Sequence, residues 1–185
     1  MKRRTLLIIV LFLFTIPSGC TPVRYENDYK GKIIDVDTGK PIEKVVVLGV
    51  WSKAYPTPGG AAHEFYDARE ALTDKNGEFS IPGMGLLILS NIESMRVLIF
   101  KAGYEYLGLW SWKPFIENAI PKKNIKWEGD MAIIPLKKLT MKERKKSRDP
   151  KGRLSAKIPD GKIRLMLREI KKDRKERGLQ TNIER

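Results

Sequence analysis

The only histidine, His63, stands in the run HEFYDARE at residues 63–70. Its imidazole, with the carboxylates of Glu64, Asp67 or Glu70, would supply the mixed nitrogen and oxygen ligands of a metal-dependent hydrolase. Strand spacing works against that reading, because His63, Phe65 and Asp67 then face one way while Glu64 and Glu70 face the other. The plainer expectation is a histidine at the start of a strand, flanked by cross-strand ion pairs. A Ser-His-Asp arrangement would also have to pass through His63, and no nucleophile-elbow pattern accompanies it. The second cluster is aromatic. Tyr104, Tyr106, Trp110 and Trp112 alternate around Gly108, so one face of one strand would display four rings. Such a face suits a sugar or a peptide, and the same spacing suits half-buried packing. No G-x-G-x-x-G or phosphate-loop pattern is present. The expectation is therefore a protein that is not an enzyme and uses neither metal nor cofactor, with carbohydrate binding as the second reading and the His63 hydrolase as the third.

The elements that would position these residues read as β-strands. An apolar run at Ile33, Ile34 and Val36 stops at Asp37-Thr38-Gly39-Lys40-Pro41 and restarts as the unbroken run from Val45 to Val50. That spacing predicts two strands, 29–36 and 43–51, joined by a tight turn. Lacking a polar face, the second is expected to be central and covered on both sides. The pattern repeats where Asp74-Lys75-Asn76-Gly77 separates a strand at 64–73 from another at 78–81, Asn-Gly supplying the positive φ of a turn. Further strands are predicted at 94–101, 104–112 and 130–136. Residues 53–62, with Pro56, Pro58, Gly59 and Gly60, are expected to form a loop. Residues 84–92 fit either a loop or an added strand, and 114–128 reads as a long connection. Seven short strands separated by turn signals argue for an all-β, antiparallel Greek-key sandwich.

Both ends differ from this body. Lys2-Arg3-Arg4 precedes an apolar run from Leu6 to Ile16, too short to span a bilayer as a mature helix and of the length an export signal requires. It ends at Pro17-Ser18-Gly19-Cys20, and Cys20 is the only cysteine. A lone free thiol is unusual in an oxidising compartment, whereas an acylated one is no longer a thiol. At the other end, residues 141–185 hold 17 basic and 7 acidic side chains, so most of the net charge of +14 belongs to this tail. Within it Asp160 is placed to cap a helix whose apolar positions Ile163, Met166, Leu167 and Ile170 repeat at helical spacing. The opposite face carries Arg164, Arg168, Lys171 and Lys172. Two roles fit that helix: docking on the sandwich, or attraction to anionic lipid or acidic envelope polymers. Export argues against nucleic acid as the partner.

Two resemblances follow from these residues. The segment ending at Cys20 resembles the bacterial lipoprotein signal, which implies removal of residues 1–19, diacylation of the Cys20 sulfur and attachment to membrane lipid. Thr21 after the cysteine leans toward the outer membrane by analogy with enteric sorting. The stretches GKIIDVDTGKPIEKVVV, TDKNGEFSIPG and KAGYEY are similar to the motifs of the carboxypeptidase regulatory-like family of transthyretin-like sandwiches. That likeness covers residues 29–136 and implies an accessory module that braces or binds beside an envelope protein or glycan. The expected organisation is a signal at 1–19, a tether at 20–28, the sandwich at 29–139 and a basic helical tail at 140–185, facing the periplasm in a bacterial cell envelope.

Overall fold

Asp35 folds its carboxylate back over the turn that follows it, where Oδ1 accepts from the N–H of Asp37 at 3.1 Å, the N–H of Thr38 at 3.0 Å and the Thr38 hydroxyl at 3.1 Å. Gly39 then takes φ of 68° and the chain reverses at the predicted place. Asp74 does the same in the second turn, its carboxylate accepting from the N–H of Asn76 at 2.9 Å and of Glu78 at 2.8 Å. Gly77 has φ of 76°, and a Cβ there would lie 2.5 Å from the carbonyl oxygen of Ile33, so two constraints exclude a side chain at once.

The structure, a computed structural model, describes residues 23–109, 112, 125–155 and 157–181. Ten strands appear among them: β1 Val23–Glu26, β2 Tyr29–Asp35, β3 Val46–Thr57, β4 Gly60–Leu72, β5 Glu78–Ile81, β6 Gly85–Ile88, β7 Arg96–Phe100, β8 Leu107–Leu109, β9 Lys126–Glu128 and β10 Met131–Leu136. Two short 3-10 turns, at Pro150–Arg153 and Asp160–Lys162, separate helix α1 Met141–Lys146 from helix α2 Arg164–Glu176. The chain is all-β with a helical tail. Each of the seven predicted strands overlaps an observed one, and β1, β6 and β9 are additional. β1 lies inside the expected tether, and together with β6 it forms a compact unit of its own.

The remaining strands form two four-stranded sheets, β5-β2-β10-β9 and β4-β3-β7-β8. The sheets are not purely antiparallel, since β10 runs parallel to β2. Nor are the two turns hairpins. β2 and β3 belong to different sheets, as do β4 and β5, so each turn is a corner between layers. Backbone bonds from Ile33 N–H to Gly77 O at 2.8 Å and from Lys44 N–H to Thr73 O at 2.8 Å stitch the two corners together. Buried Thr73 completes the seam, its hydroxyl donating to Ile42 O at 2.6 Å and accepting from Val45 N–H at 2.9 Å. Thus the two sequence motifs that look alike are also neighbours.

The true hairpin is where a loop was expected. β3 and β4 pair from Val46↔Leu72 to Thr57↔Gly60, with one shift of register, and turn at Pro58-Gly59. Pro56 is tolerated because the N–H of Ala54 already points away from β4, to Asn91 O at 3.0 Å. Two residues on, the missing N–H of Pro56 would point the same way, past the end of β7. A bulge leaves Tyr66 unpaired between Trp51↔Asp67 and Ser52↔Phe65. Phe65 and Ala68 consequently face the same side, and the strict alternation expected along this strand is broken there.

Strand β3 is covered on both sides, as its composition predicts. Trp51 meets Tyr29 of the other sheet with ring centroids 6.1 Å apart, and Gly49 sits under Met95 and Ile81. The opposite side chains, Val46, Leu48 and Val50, pack with Phe100 against Leu154, Ile158, Ile163, Met166 and Ile170 of the tail. The tail is thus a third layer, and the sequence's two alternatives resolve to docking for its apolar face.

Candidate functional site

The aromatic face divides. β8 covers only Leu107–Leu109, so Tyr104 and Tyr106 precede the strand that was expected to carry them. Trp112 is buried at 5% exposure, with its ring edge-on to Tyr29 at 5.8 Å, Phe79 at 5.9 Å and Trp127 at 5.8 Å. It is part of the core between the sheets, where it can stack on no ligand. Tyr106 packs on Phe100 at 6.3 Å, on the side covered by the tail. Trp110 lies outside the described residues, as does Cys20. Tyr104 and Tyr106 do share a cleft with Arg144 and Asp173, but it encloses about 150 Å³. Pockets for drug-sized ligands run from about 300 Å³ upward.

Around His63 the residues are committed elsewhere. Its Nδ1 lies 2.9 Å from Glu93 Oε2. Asp67 binds Lys162 Nζ at 2.8 Å, Arg69 Nε at 3.2 Å and the N–H of Ala68 at 2.8 Å. Burial acts to raise the Asp67 carboxyl, but these three donors outweigh it and hold it below the usual range. Glu70 turns to the tail. Among the described residues no group of three His, Cys, Asp or Glu is placed to hold a metal.

Helix α2 is where charge is organised. It was expected to start from an Asp160 cap, yet Asp160 opens a 3-10 turn and Ile163 caps α2 with no side-chain bond. The acceptor comes from the sheet: Glu70 takes the N–H of Leu165 at 2.9 Å and of Met166 at 2.7 Å through its two oxygens. Burial pushes this carboxyl above its ordinary value, against the downward pull of those two N–H groups. A carboxylate there also faces the positive end of the helix dipole.

Two of the three acids of α2, Glu169 and Asp173, turn inward, while Glu176 is exposed. Glu169 accepts the N–H of Ala102 at 2.9 Å. Asp173 is buried and takes Arg144 Nε at 3.1 Å, Arg144 Nη2 at 2.6 Å and Arg177 Nη1 at 3.2 Å. Glu176 takes Arg144 Nη2 at 2.8 Å. Exposed along one side are Arg164, Arg168, Lys171, Lys172 and Lys175, spaced i, i+4, i+7, i+8 and i+11. Five cations form one stripe, and Glu169 meets one of them, Lys172, at 3.5 Å.

No family model matches the chain. Nor does any curated protein. A solved structure of the pilus adhesin RrgA from Streptococcus pneumoniae resembles it at 11% identity and a TM-score of 0.36, over 63% of this chain and 15% of that one. This chain therefore spans a small fraction of that protein's length, and the likeness is too low to carry an argument.

Sequence reasoning found four of the five stripe cations and missed Lys175, Glu70 and the role of the acids. The acids were legible: Glu169, Asp173 and Glu176 repeat at i, i+4, i+7, the same period as the apolar face. The capping role of Glu70 was not, because it acts on a helix 95 residues away.

Proposed function

We propose that this chain is an envelope lipoprotein, anchored through acylated Cys20, whose β body is a non-catalytic scaffold presenting the basic stripe of α2 to an anionic surface. The segregation of charge on α2 carries this reading. A solvated helix has no need to gather five cations on one side, whereas a surface that attracts anionic headgroups or acidic polymers gains from each exposed cation, at about 1 kcal/mol apiece near a charged membrane. The attraction is salt-dependent, because exposed charges are screened within about 10 Å at 0.1 M ionic strength. For the body, the carboxypeptidase regulatory-like, transthyretin-like Greek-key arrangement is our reading. It is supported by the seven predicted strands that overlap observed ones and by the seam joining the two motif stretches.

The test is a charge reversal that leaves the apolar face of α2 untouched. Arg164→Glu, Arg168→Glu and Lys171→Glu together are expected to abolish salt-sensitive sedimentation with phosphatidylglycerol vesicles, with unchanged circular dichroism. Equal sedimentation by the folded variant would refute the surface. Mass spectrometry of the membrane-extracted chain tests the anchor independently, the expected species beginning at a diacylated Cys20.

A further inference from the structure

The β1/β6 ribbon exposes more apolar surface than its size explains. Cross-strand partners Val23↔Ile88 and Tyr25↔Leu86 lie on one face of this antiparallel pair, and they are 55 to 66% exposed. Leu89, next in the chain, is 83% exposed and has a left-handed backbone with φ of 47°, which is uncommon for a leucine. Polar residues take the alternate positions of β1, where Arg24 and Glu26 form an ion pair at 3.0 Å. The ribbon is thus amphipathic with its apolar face open. Contiguous exposed apolar residues on a small element mark a contact surface.

The chain length decides what covers that face. Only Thr21 and Pro22 separate Cys20 from Val23. Three residue steps span at most about 11 Å at full extension. Acyl chains on the Cys20 sulfur place that residue at the boundary between headgroups and hydrocarbon, so β1 begins within about 11 Å of it. Aliphatic side chains flanking a tyrosine are the composition that settles in this zone, where a phenol keeps its ring in the apolar part and its hydroxyl wet. A protein partner adding a strand would use the ribbon's backbone edges, leaving these five side chains unexplained.

We propose that the β1/β6 ribbon is a second membrane contact, its Val23, Tyr25, Leu86, Ile88 and Leu89 face lying in the interface of the bilayer that holds the Cys20 acyl chains. The placement rests on the acylation of Cys20 proposed above.

Because Cys20 is the only cysteine and is blocked when acylated, a single new thiol reports on the ribbon. The full chain carrying Ile88→Cys, and separately Tyr25→Cys, is labelled with an environment-sensitive fluorophore and reconstituted into phosphatidylglycerol and phosphatidylethanolamine vesicles with or without brominated acyl chains. Blue-shifted emission that brominated lipid quenches is the expected result at both positions. Water-like, unquenched emission with Cys20 blocked removes the ribbon from the membrane and leaves the anchor standing. Uptake of the label by the wild-type chain shows a free Cys20 thiol, which refutes the anchor and with it the ribbon's placement.

Discussion

Glu70 ties β4 to the tail through two hydrogen bonds. It lies in an ordinary-looking strand, yet its two oxygens complete the first turn of α2. Removing a helix cap costs about 0.5–2 kcal/mol. Glu70→Ala is expected to lower stability by about that amount in urea denaturation, and a loss confined to noise would show that the N–H groups find water instead. Glu143 is the second residue with a readable role. Thr140 and Glu143 form a reciprocal capping box for α1, in which the Glu143 carboxylate accepts the Thr140 N–H at 2.9 Å and the Thr140 hydroxyl oxygen accepts the Glu143 N–H at 3.3 Å. Lys137 at 2.7 Å, together with those Thr140 donors, holds the Glu143 carboxyl down to about 2. A depressed carboxyl stabilises the fold above its unfolded value and loses that contribution as pH falls toward the folded one. The Glu143 side-chain resonance should therefore titrate near pH 2, and a midpoint in the ordinary carboxylate range would contradict the box.

Helix α2 depends on α1 through a buried ionic cluster. Arg144 and Asp173 are 7% and 4% exposed, so the pair is held in a medium where an unmatched charge is costly. Breaking one side of such a pair typically costs about 3–5 kcal/mol, while replacing both by apolar groups of similar volume is often neutral. Asp173→Ala is expected to fall in that destabilising range, with Arg144→Met/Asp173→Leu much closer to wild type in the same denaturation assay. If the double variant loses as much as the single one, the outer partners Glu176 and Arg177 have been stranded by it. The bulge at Tyr66 acts on the same scale. By bringing Phe65 and Ala68 to one face, it extends the surface that the tail covers.

The larger of the two units is layered: one four-stranded sheet, a second, and the tail. Deleting residues after Leu139 strips the cover from Val46, Leu48 and Val50, which are 2%, 0% and 2% exposed. Each large aliphatic side chain returned to water loses about 1.5–3 kcal/mol. The truncated chain is therefore expected to aggregate or to unfold well below the full chain in a thermal melt. A soluble truncation with an unchanged melt would mean that the tail is an appendage. Acid should loosen the same layer, since the depressed Asp67 carboxyl ties Lys162 to β4 and that tie is lost as pH falls below the usual carboxylate range.

Local chemistry in the chain was sufficient to place the turns at Gly39 and Gly77, the unbroken apolar strand through Val45–Val50 and the period of α2, because a positive φ, a two-sided burial and a 3.6-residue repeat each leave a mark within a few residues. The same local reading took residues 53–62 for a loop, since Pro56 breaks a strand only when a neighbour needs its N–H, and the neighbour is set by the sheet. It also assigned the α2 cap to Asp160 and grouped Trp112 with Tyr104 and Tyr106. Only packing could decide that Glu70 reaches the helix, that Trp112 belongs between the sheets, and that β10 lies parallel to β2. These are contacts between residues far apart in sequence, and their energy comes from the shape and desolvation of the assembled layers, which no window of the chain contains.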